Sequence, residues 1–551
     1  MSRPASFLPT TRAEMERLGW AELDVLLVTG DAYVDHPSFG AALLGRWLEA
    51  HGLRVGVIAQ PRWDGPEDVR RMGRPRLFAG ASAGALDSML AHYTAFRKKR
   101  SDDAYTPGGR AGARPNRACL VYAGLLKRAF QGLPVVLGGI EASLRRAAHY
   151  DFWGDALRRS ILVDSKADLV VYGMGERAVL EIAERLRSGK DLKSVPGTAF
   201  IGEAEGAERL PSFEELQASP KRLMEATLAL ERQMLAGTRA AQAHGGRTVV
   251  FAPPAAPLTT PELDRLYALP FARRAHPSYK EAIPAVEMIQ FSLTAHRGCA
   301  GGCSFCALAL HQGRIIASRS RASIEEEARK LSAHPDWKGA LTDVGGPSAN
   351  MWNARCAADP ALCRRSSCLA PSVCPHFQDA QEALAELLRA LKRLPGLKHV
   401  RVASGVRHDL ALRSPAYLRA LVGEFTGGQL KLAPEHSCAE VLRLMRKPSF
   451  KAFEAFLSVF ERESKAAGKE QYVVPYLMSA FPGCTDDDMR SLSRWLKARS
   501  WKPQQVQCFI PAPGTVASAM YFAGVDPEGR PIQVARTDAQ RLRQHRILMG
   551  G

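Results

Sequence analysis

Three cysteines crowd one short stretch, Arg297-Gly-Cys299-Ala-Gly-Gly-Cys303-Ser-Phe-Cys306, in a C-x3-C-x2-C spacing. Thiolates this close suit three corners of a cubane iron–sulfur cluster. Gly298, Gly301 and Gly302 let the chain curl so that the sulfurs face one centre. Three ligands on a four-iron cubane leave one iron open. An open iron can chelate the amino and carboxylate groups of S-adenosylmethionine (SAM). One-electron reduction then breaks the sulfonium C–S bond and yields a 5′-deoxyadenosyl radical, so the protein must orient the cofactor and exclude water. The alternatives are a zinc site with a distant fourth ligand, or three buried thiols.

A second group follows, Cys356-x6-Cys363-x4-Cys368-x5-Cys374. It lacks the C-x2-C pairs of common zinc modules. It reads as an auxiliary cluster or a structural zinc, against the alternative of free thiols on a flexible loop. The other four of the 11 cysteines, Cys119, Cys438, Cys484 and Cys508, stand alone. The N-terminal stretch lacks the apolar core of an export signal. Clustered cysteines without such a signal point to metal ligation rather than disulfides, and to the cytoplasm.

The elements that must position these residues come from a 551-residue chain, long enough for several domains. Its 46% apolar and 24% charged content excludes a mainly disordered chain, a collagen and a coiled coil. No apolar run approaches the ~20 residues that span a bilayer, so no membrane role is expected. The 75 Lys+Arg against 56 Asp+Glu give a net charge of +19, which permits a polyanionic partner without demanding one. The most basic stretch, residues 96–117, reads as a solvated loop, with RNA contact as the alternative.

From residue 20 to 205, short apolar runs alternate with helical segments: Leu23–Thr29, Val55–Ala59, Leu77–Ala79, Val135–Leu137 and Leu169–Tyr172. This predicts an N-terminal doubly wound parallel α/β sheet over 1–205. Residues 206–283 read as a helical and Pro-rich connector, with Pro211–Ala243 helical. From 284 to 525 about six βα units predict a partial or full (β/α) barrel of the TIM type. Its first strand is expected through Ile289, Phe291 and Leu293, and Ser323-Ile-Glu-Glu326 as the cap of the next helix. Residues 526–551 form a C-terminal tail.

Several strings resemble the YgiQ family of the radical SAM superfamily: the cysteine loop itself, His311–Arg319, Asp343-Val-Gly-Gly-Pro-Ser-Ala-Asn350, Ala433-Pro-Glu-His436 and Pro511–Val516. Upstream, residues 30–40 and Gly138–Arg146 also resemble that family, so the likeness runs from about 20 to 545. It implies a [4Fe–4S] enzyme that cleaves SAM. On matching positions, Phe305 is implied to border the adenine. The backbone of Gly345 and Gly346 is implied to meet the methionine amino group, although Pro347 stands where an acid is usual. Ser404 and Arg407 resemble ribose- or carboxylate-contacting positions, and Glu435 with His436 resembles a polar cofactor contact. The alternatives are a surface ion pair for Arg407 and a loop cap for Glu435 and His436.

The N-terminal domain resembles the cobalamin-binding-like domain that precedes many radical SAM cores. A cobalt-ligating histidine needs Asp-x-His-x-x-Gly. Here Asp35 and His36 are adjacent and Gly40 is four beyond, so that spacing fails, which leaves cobalamin held without a histidine or a vestigial doubly wound domain that helps cover the barrel. The expected activity is hydrogen abstraction from a substrate such as RNA or ribosomal protein, with electrons from a reductant such as a flavodoxin or ferredoxin. The alternatives are a cobalamin-dependent radical SAM methylase and a non-catalytic iron–sulfur RNA-binding protein.

Overall fold

The computed structural model describes residues 7–549. It divides into two compact units. One holds the described residues up to Pro257 with Arg265–Gln290, and the other holds Leu258–Asp264 with the described residues from Phe291 on.

In the first unit the apolar runs become strands β1 Val25–Thr29, β2 Val55–Ala59, β3 Phe78–Ser82, β4 Val135–Leu137 and β5 Leu169–Val171. They are followed by β6 Thr198–Ile201, β7 Glu208–Arg209, β8 Ala240–His244 and β9 Arg247–Phe251. All five residues of β1 are buried, as in a strand covered on both faces. The sheet order is β7-β8-β9-β6-β5-β4-β3-β1-β2. Its β2-β1-β3-β4-β5 half is parallel, the doubly wound arrangement the alternation predicts.

The stretch 206–283 is not a separate helical connector. The helix Lys221–Ala236 is there, but β8 and β9 form an antiparallel hairpin that extends the first sheet through β6. The signal was Gly245-Gly246, both at positive φ, the two-residue turn that right-twisted hairpins favour.

Chain order reverses between β1 and β3, where doubly wound sheets open a ligand crevice. Here the chain fills it. A Cβ on Gly30 would lie 2.4 Å from the carbonyl oxygen of Ala83. Arg114, fully buried, binds Asp103 through Nε at 2.9 Å, faces Asp31 Oδ1 at 3.0 Å and donates Nη1 to the Ala83 carbonyl. Ala32 N–H donates to the Tyr105 carbonyl, and Gln60 Nε2 donates to the Gly30 carbonyl and to Thr106. Residues 96–117 are therefore not a solvated loop. Lys98–Arg100 are exposed, but Asp103, Thr106 and Arg114 are buried, because Asp31 needs a cation once it is taken from water. Burial raises the Asp31 carboxyl to about 6, even with Arg114 opposing it.

The second unit builds an arc of parallel strands. These are β10 Ser292–Thr294, β11 Ala340–Leu341, β12 Asp343–Gly345, β13 His399–Val400, β14 Gln429–Glu435, β15 Tyr472–Ser479 and β16 Gln505–Cys508. β10 pairs with β12, β11 with β13, β14 with β15 and β15 with β16, all parallel. A parallel bridge Val406–Leu432 links the third barrel position to the fourth. β11 and β12 are two pieces of one barrel position. Among the described residues no ladder returns from β16 to β10, so the barrel is partial.

Helices cover the arc. Phe453, Phe456 and Phe460 of the helix Phe450–Ala466 lie on one face and bury against Leu430, Leu432 and Phe425. Two local expectations shift. Ile289 ends the helix Pro284–Ile289, and the strand begins at Ser292. The next helix starts one turn early, with Ser320 as its cap accepting from Ser323 N–H. The tail carries the helix Asp538–Met549, whose Gln544 accepts from Ala480 N–H and donates to the Cys484 carbonyl. Among the described residues no helix is long and apolar enough to cross a membrane.

Replacing Arg114 by Met strands two buried carboxylates. We expect a stability loss of about 3–5 kcal/mol at pH 8, read by urea unfolding. Asp31 titrates higher in the folded chain than unfolded, so its ionisation costs stability above about pH 6 and that cost fades as pH falls toward 4. The loss in Arg114→Met should therefore shrink at pH 5. A loss independent of pH would show that the carboxylates are not what Arg114 holds.

Candidate functional site

The cysteine loop leaves the carboxyl end of β10 and is closed at its base by a two-residue antiparallel clamp, His296–Arg297 against Ala317–Ser318. Inside it, Cys299 N–H donates to the Gly313 carbonyl, and Gly298 N–H to Gln312 Oε1. Gly298 has φ +85°, and a Cβ there would lie 2.2 Å from the Ile315 carbonyl oxygen, so only glycine fits. The far side is pinned by Ser304, which donates N–H to the Met445 carbonyl and Oγ–H to the Leu444 carbonyl.

The space beside Gly301 is where the site converges. A Cβ built there would lie 3.2 Å from Arg407 Nη1, 3.4 Å from Cys299 Sγ and 3.8 Å from Cys303 Sγ. Burial raises the Cys299 thiol, with Cys303 adding to the shift. Burial and the neighbouring Cys303 and Cys299 push Cys306 up to about 12. The three thiols thus sit close enough to feel each other. Among the described residues no three His, Cys, Asp or Glu side chains are grouped as a single metal ion needs.

Arg407 is no surface ion pair. It is buried, with Nε and Nη2 on Asp409 at 2.8 and 2.7 Å, and Asn350 Oδ1 accepts its backbone N–H. Burial opposes its charge, but Asp409 and the Cys303 and Cys299 thiols raise its pKa. Asp409 itself is held down to about 2, burial being outweighed by Arg407. Glu435 is buried at φ +67° in a β-bulge, 3.6 Å from Lys447 Nζ; burial raises its carboxyl and Lys447 lowers it. Lys447 also acts on Cys299. The structure thus brings Arg407, Lys447 and Glu435 to the loop.

The remaining candidates are placed less uniformly. Phe305 is half-buried, its ring edge-on to Phe481 at 6.1 Å. Ser404 Oγ–H donates to Asp343, whose carboxylate also takes the Ala403 and Ser404 N–H groups. That acid organises the turn from below. His436 Nδ1 accepts from Ser437 and Cys438 N–H, the geometry of a cap. Gly346 packs on His296, whose Nε2 would lie 2.6 Å from a Cβ there. His296 is buried, which lowers its ring to about 4, with a backbone hydrogen bond at Ser348 opposing that shift. Sequence reading missed His296, Asp343, Asp409 and Lys447. For Asp409, the i+2 spacing from Arg407 was a visible signal.

The second cysteine group lies between β12 and the helix Gln381–Lys392, against the first loop. Cys368 N–H donates to the Ala300 carbonyl at 3.0 Å, and Ser367 Oγ to the Gly301 carbonyl at 2.6 Å.

The sequence profile of the Radical SAM N-terminal family matches residues 7–292. A UPF0313 protein of Geobacter sulfurreducens is 52% identical over 99% of this chain and 92% of its own length. One of Thermotoga petrophila is 49% identical over 96% of each. Among solved structures, the radical S-adenosylmethionine methyltransferase TsrM of Kitasatospora setae, with tryptophan substrate and a SAM analogue bound, has a TM-score of 0.53. It is 15% identical and covers 89% of this chain and 74% of that one, a likeness of fold. Profile and relatives together place this chain among the radical SAM enzymes, as a member of the UPF0313 family.

Proposed function

We propose that Cys299, Cys303 and Cys306 hold a [4Fe–4S] cluster with one iron left for SAM. The observation that carries this is the close approach at Gly301, where two of the thiols and Nη1 of Arg407 meet around a residue without a side chain. Cluster and SAM, when bound, supply a 5′-deoxyadenosyl radical that takes hydrogen from a substrate carbon. The chain's own residues do the rest. Three thiolates make the centre anionic, and more so once reduced. The buried cations Arg407 and Lys447 offset that charge where water cannot. Arg407, fixed by Asp409, can bind the carboxylate of SAM. The backbone of half-buried Gly346, next to buried Gly345 whose carbonyl already accepts from Ala295 N–H, is the candidate for its amino group, and the half-buried ring of Phe305 for its adenine. Ser404 and Glu435 line the same strand ends.

The net charge of +19 supports a polyanionic substrate such as RNA, or a protein bound to it such as a ribosomal protein. A one-electron donor such as a flavodoxin or ferredoxin is required. The cysteine content supports a reducing compartment, the cytoplasm.

TsrM has been solved with cobalamin bound. In this chain the residues do not fit that group. The crevice between β1 and β3 is filled by Asp103, Tyr105 and Arg114. His36 is buried, with Nδ1 accepting from Ser38 N–H and Nε2 against Arg273. The proposed chemistry therefore involves no corrinoid.

Anaerobically reconstituted, reduced protein should cleave SAM to 5′-deoxyadenosine and methionine, and Cys303→Ala should fall to background. RNA binding with a steep salt dependence and no cleavage would favour the non-catalytic alternative. Gly298→Ala should lose most of its iron, whereas Gly237→Ala should lose little. Gly237, at φ +66° and ψ +26°, is left-handed but has nothing within 4 Å, so alanine there meets only ~1–2 kcal/mol of strain. Equal losses would mean that the Ile315 clash does not shape the loop. Protein incubated with hydroxocobalamin and desalted should show no corrinoid absorbance; retained absorbance would overturn the filled crevice.

A further inference from the structure

Of the cysteines outside the first loop, four are clustered. The segment that carries them is closed as the first loop is, by a two-residue antiparallel clamp, Arg355–Cys356 against Phe377–Gln378. Within it, Cys374 N–H donates to the Cys368 carbonyl at 2.7 Å, and Phe377 N–H to the Cys374 carbonyl at 2.9 Å. Arg365 ties the turn together, donating to the carbonyls of Ser367, Ala370 and Ser372. The backbone holds Cys356, Cys368 and Cys374 by these bonds, and Cys363 N–H donates to the Pro360 carbonyl.

One thiol lies against a cation. Burial raises the Cys368 thiol and Arg314 lowers it, with Cys363 and Cys356 adding smaller upward effects. Arg314, which belongs to the first cysteine loop, reaches across to donate Nη2–H to Cys368 Sγ at 3.4 Å and Nη1–H to the Arg365 carbonyl. Arginine aimed at a sulfur is what a thiolate centre asks for, since charge-assisted hydrogen bonds to the sulfurs stabilise the anionic cluster and tune it. Cys374 is buried in an apolar cluster with Met351, Leu369 and Phe377, and Cys368 packs on the same cluster. Apolar packing keeps one side of the group dry.

The two loops also interlock. A Cβ on Gly302 would lie 2.3 Å from the Ser366 carbonyl oxygen, so Gly302 is the gap into which the second segment fits.

We propose that Cys356, Cys363, Cys368 and Cys374 hold a second iron–sulfur cluster, fully ligated by protein, against the loop that carries Cys299, Cys303 and Cys306. Four thiolates leave no iron open, so this centre does not bind SAM.

The test uses the full chain, reconstituted anaerobically with ferrous iron and sulfide. Wild type should hold about eight irons and eight sulfides per chain, with no zinc. The triple variant Cys299→Ala/Cys303→Ala/Cys306→Ala should keep about four irons, with a reduced-state electron paramagnetic resonance signal that added SAM leaves unchanged. Cys356→Ser/Cys363→Ser/Cys368→Ser should keep the other set, with a signal that shifts on SAM addition. Cys363→Ser alone, checked for an unchanged circular dichroism spectrum, should alter only the SAM-insensitive signal. Wild type with about four irons, a triple loop variant with none, or one zinc per chain would overturn the proposal. Two SAM-insensitive clusters would instead sink the SAM-cleaving reading and leave this one standing.

Discussion

Negative charge in a dry place has to be answered by positive charge equally dry. That constraint organises the second unit. Three thiols are gathered on one loop, and two buried cations, Arg407 and Lys447, are set beside them. Each cation has its own carboxylate, Asp409 for Arg407 and Glu435 for Lys447. The pairs keep the cations tolerable inside the fold, and each cation still acts on the thiols. Arg407 manages this through geometry: two of its nitrogens bind Asp409, and the third faces the loop.

The barrel arc exists to present these groups together. The cysteines follow β10, Gly345 ends β12, Ser404 and Arg407 follow β13, and Glu435 ends β14. They come from four consecutive barrel positions and meet at the carboxyl ends because parallel strands all point the same way. The first unit follows the same rule with a different outcome. Its strands also converge their carboxyl ends, and there Asp31, Asp103 and Arg114 form a buried ion cluster. A likeness of fold is not by itself a likeness of site.

Much of this was legible in the sequence because local patterns carried it. Buried parallel strands read as short apolar runs, so β1 through β5 were visible, as was the helix Glu176–Arg187. The C-x3-C-x2-C spacing is local too. What escaped was long-range. Arg114 meets Asp31 across 83 positions, and nothing in the basic stretch around it says that one of its arginines goes inside. Lys447 meets Glu435 across a bulge that the sequence does not announce. The hairpin of β8 and β9 was missed for another reason: alanine-rich β8 has weak strand propensity, and only its Gly-Gly turn betrayed it.

The clamp at the base of the first cysteine loop bears on what shapes it. His296 and Arg297 hold Ala317 and Ser318 by ordinary peptide hydrogen bonds, and the loop's inner turns are backbone-made as well. The path of the chain past its thiols is thus written partly in peptide groups and glycines, in contrast to small zinc modules whose fold comes from the metal.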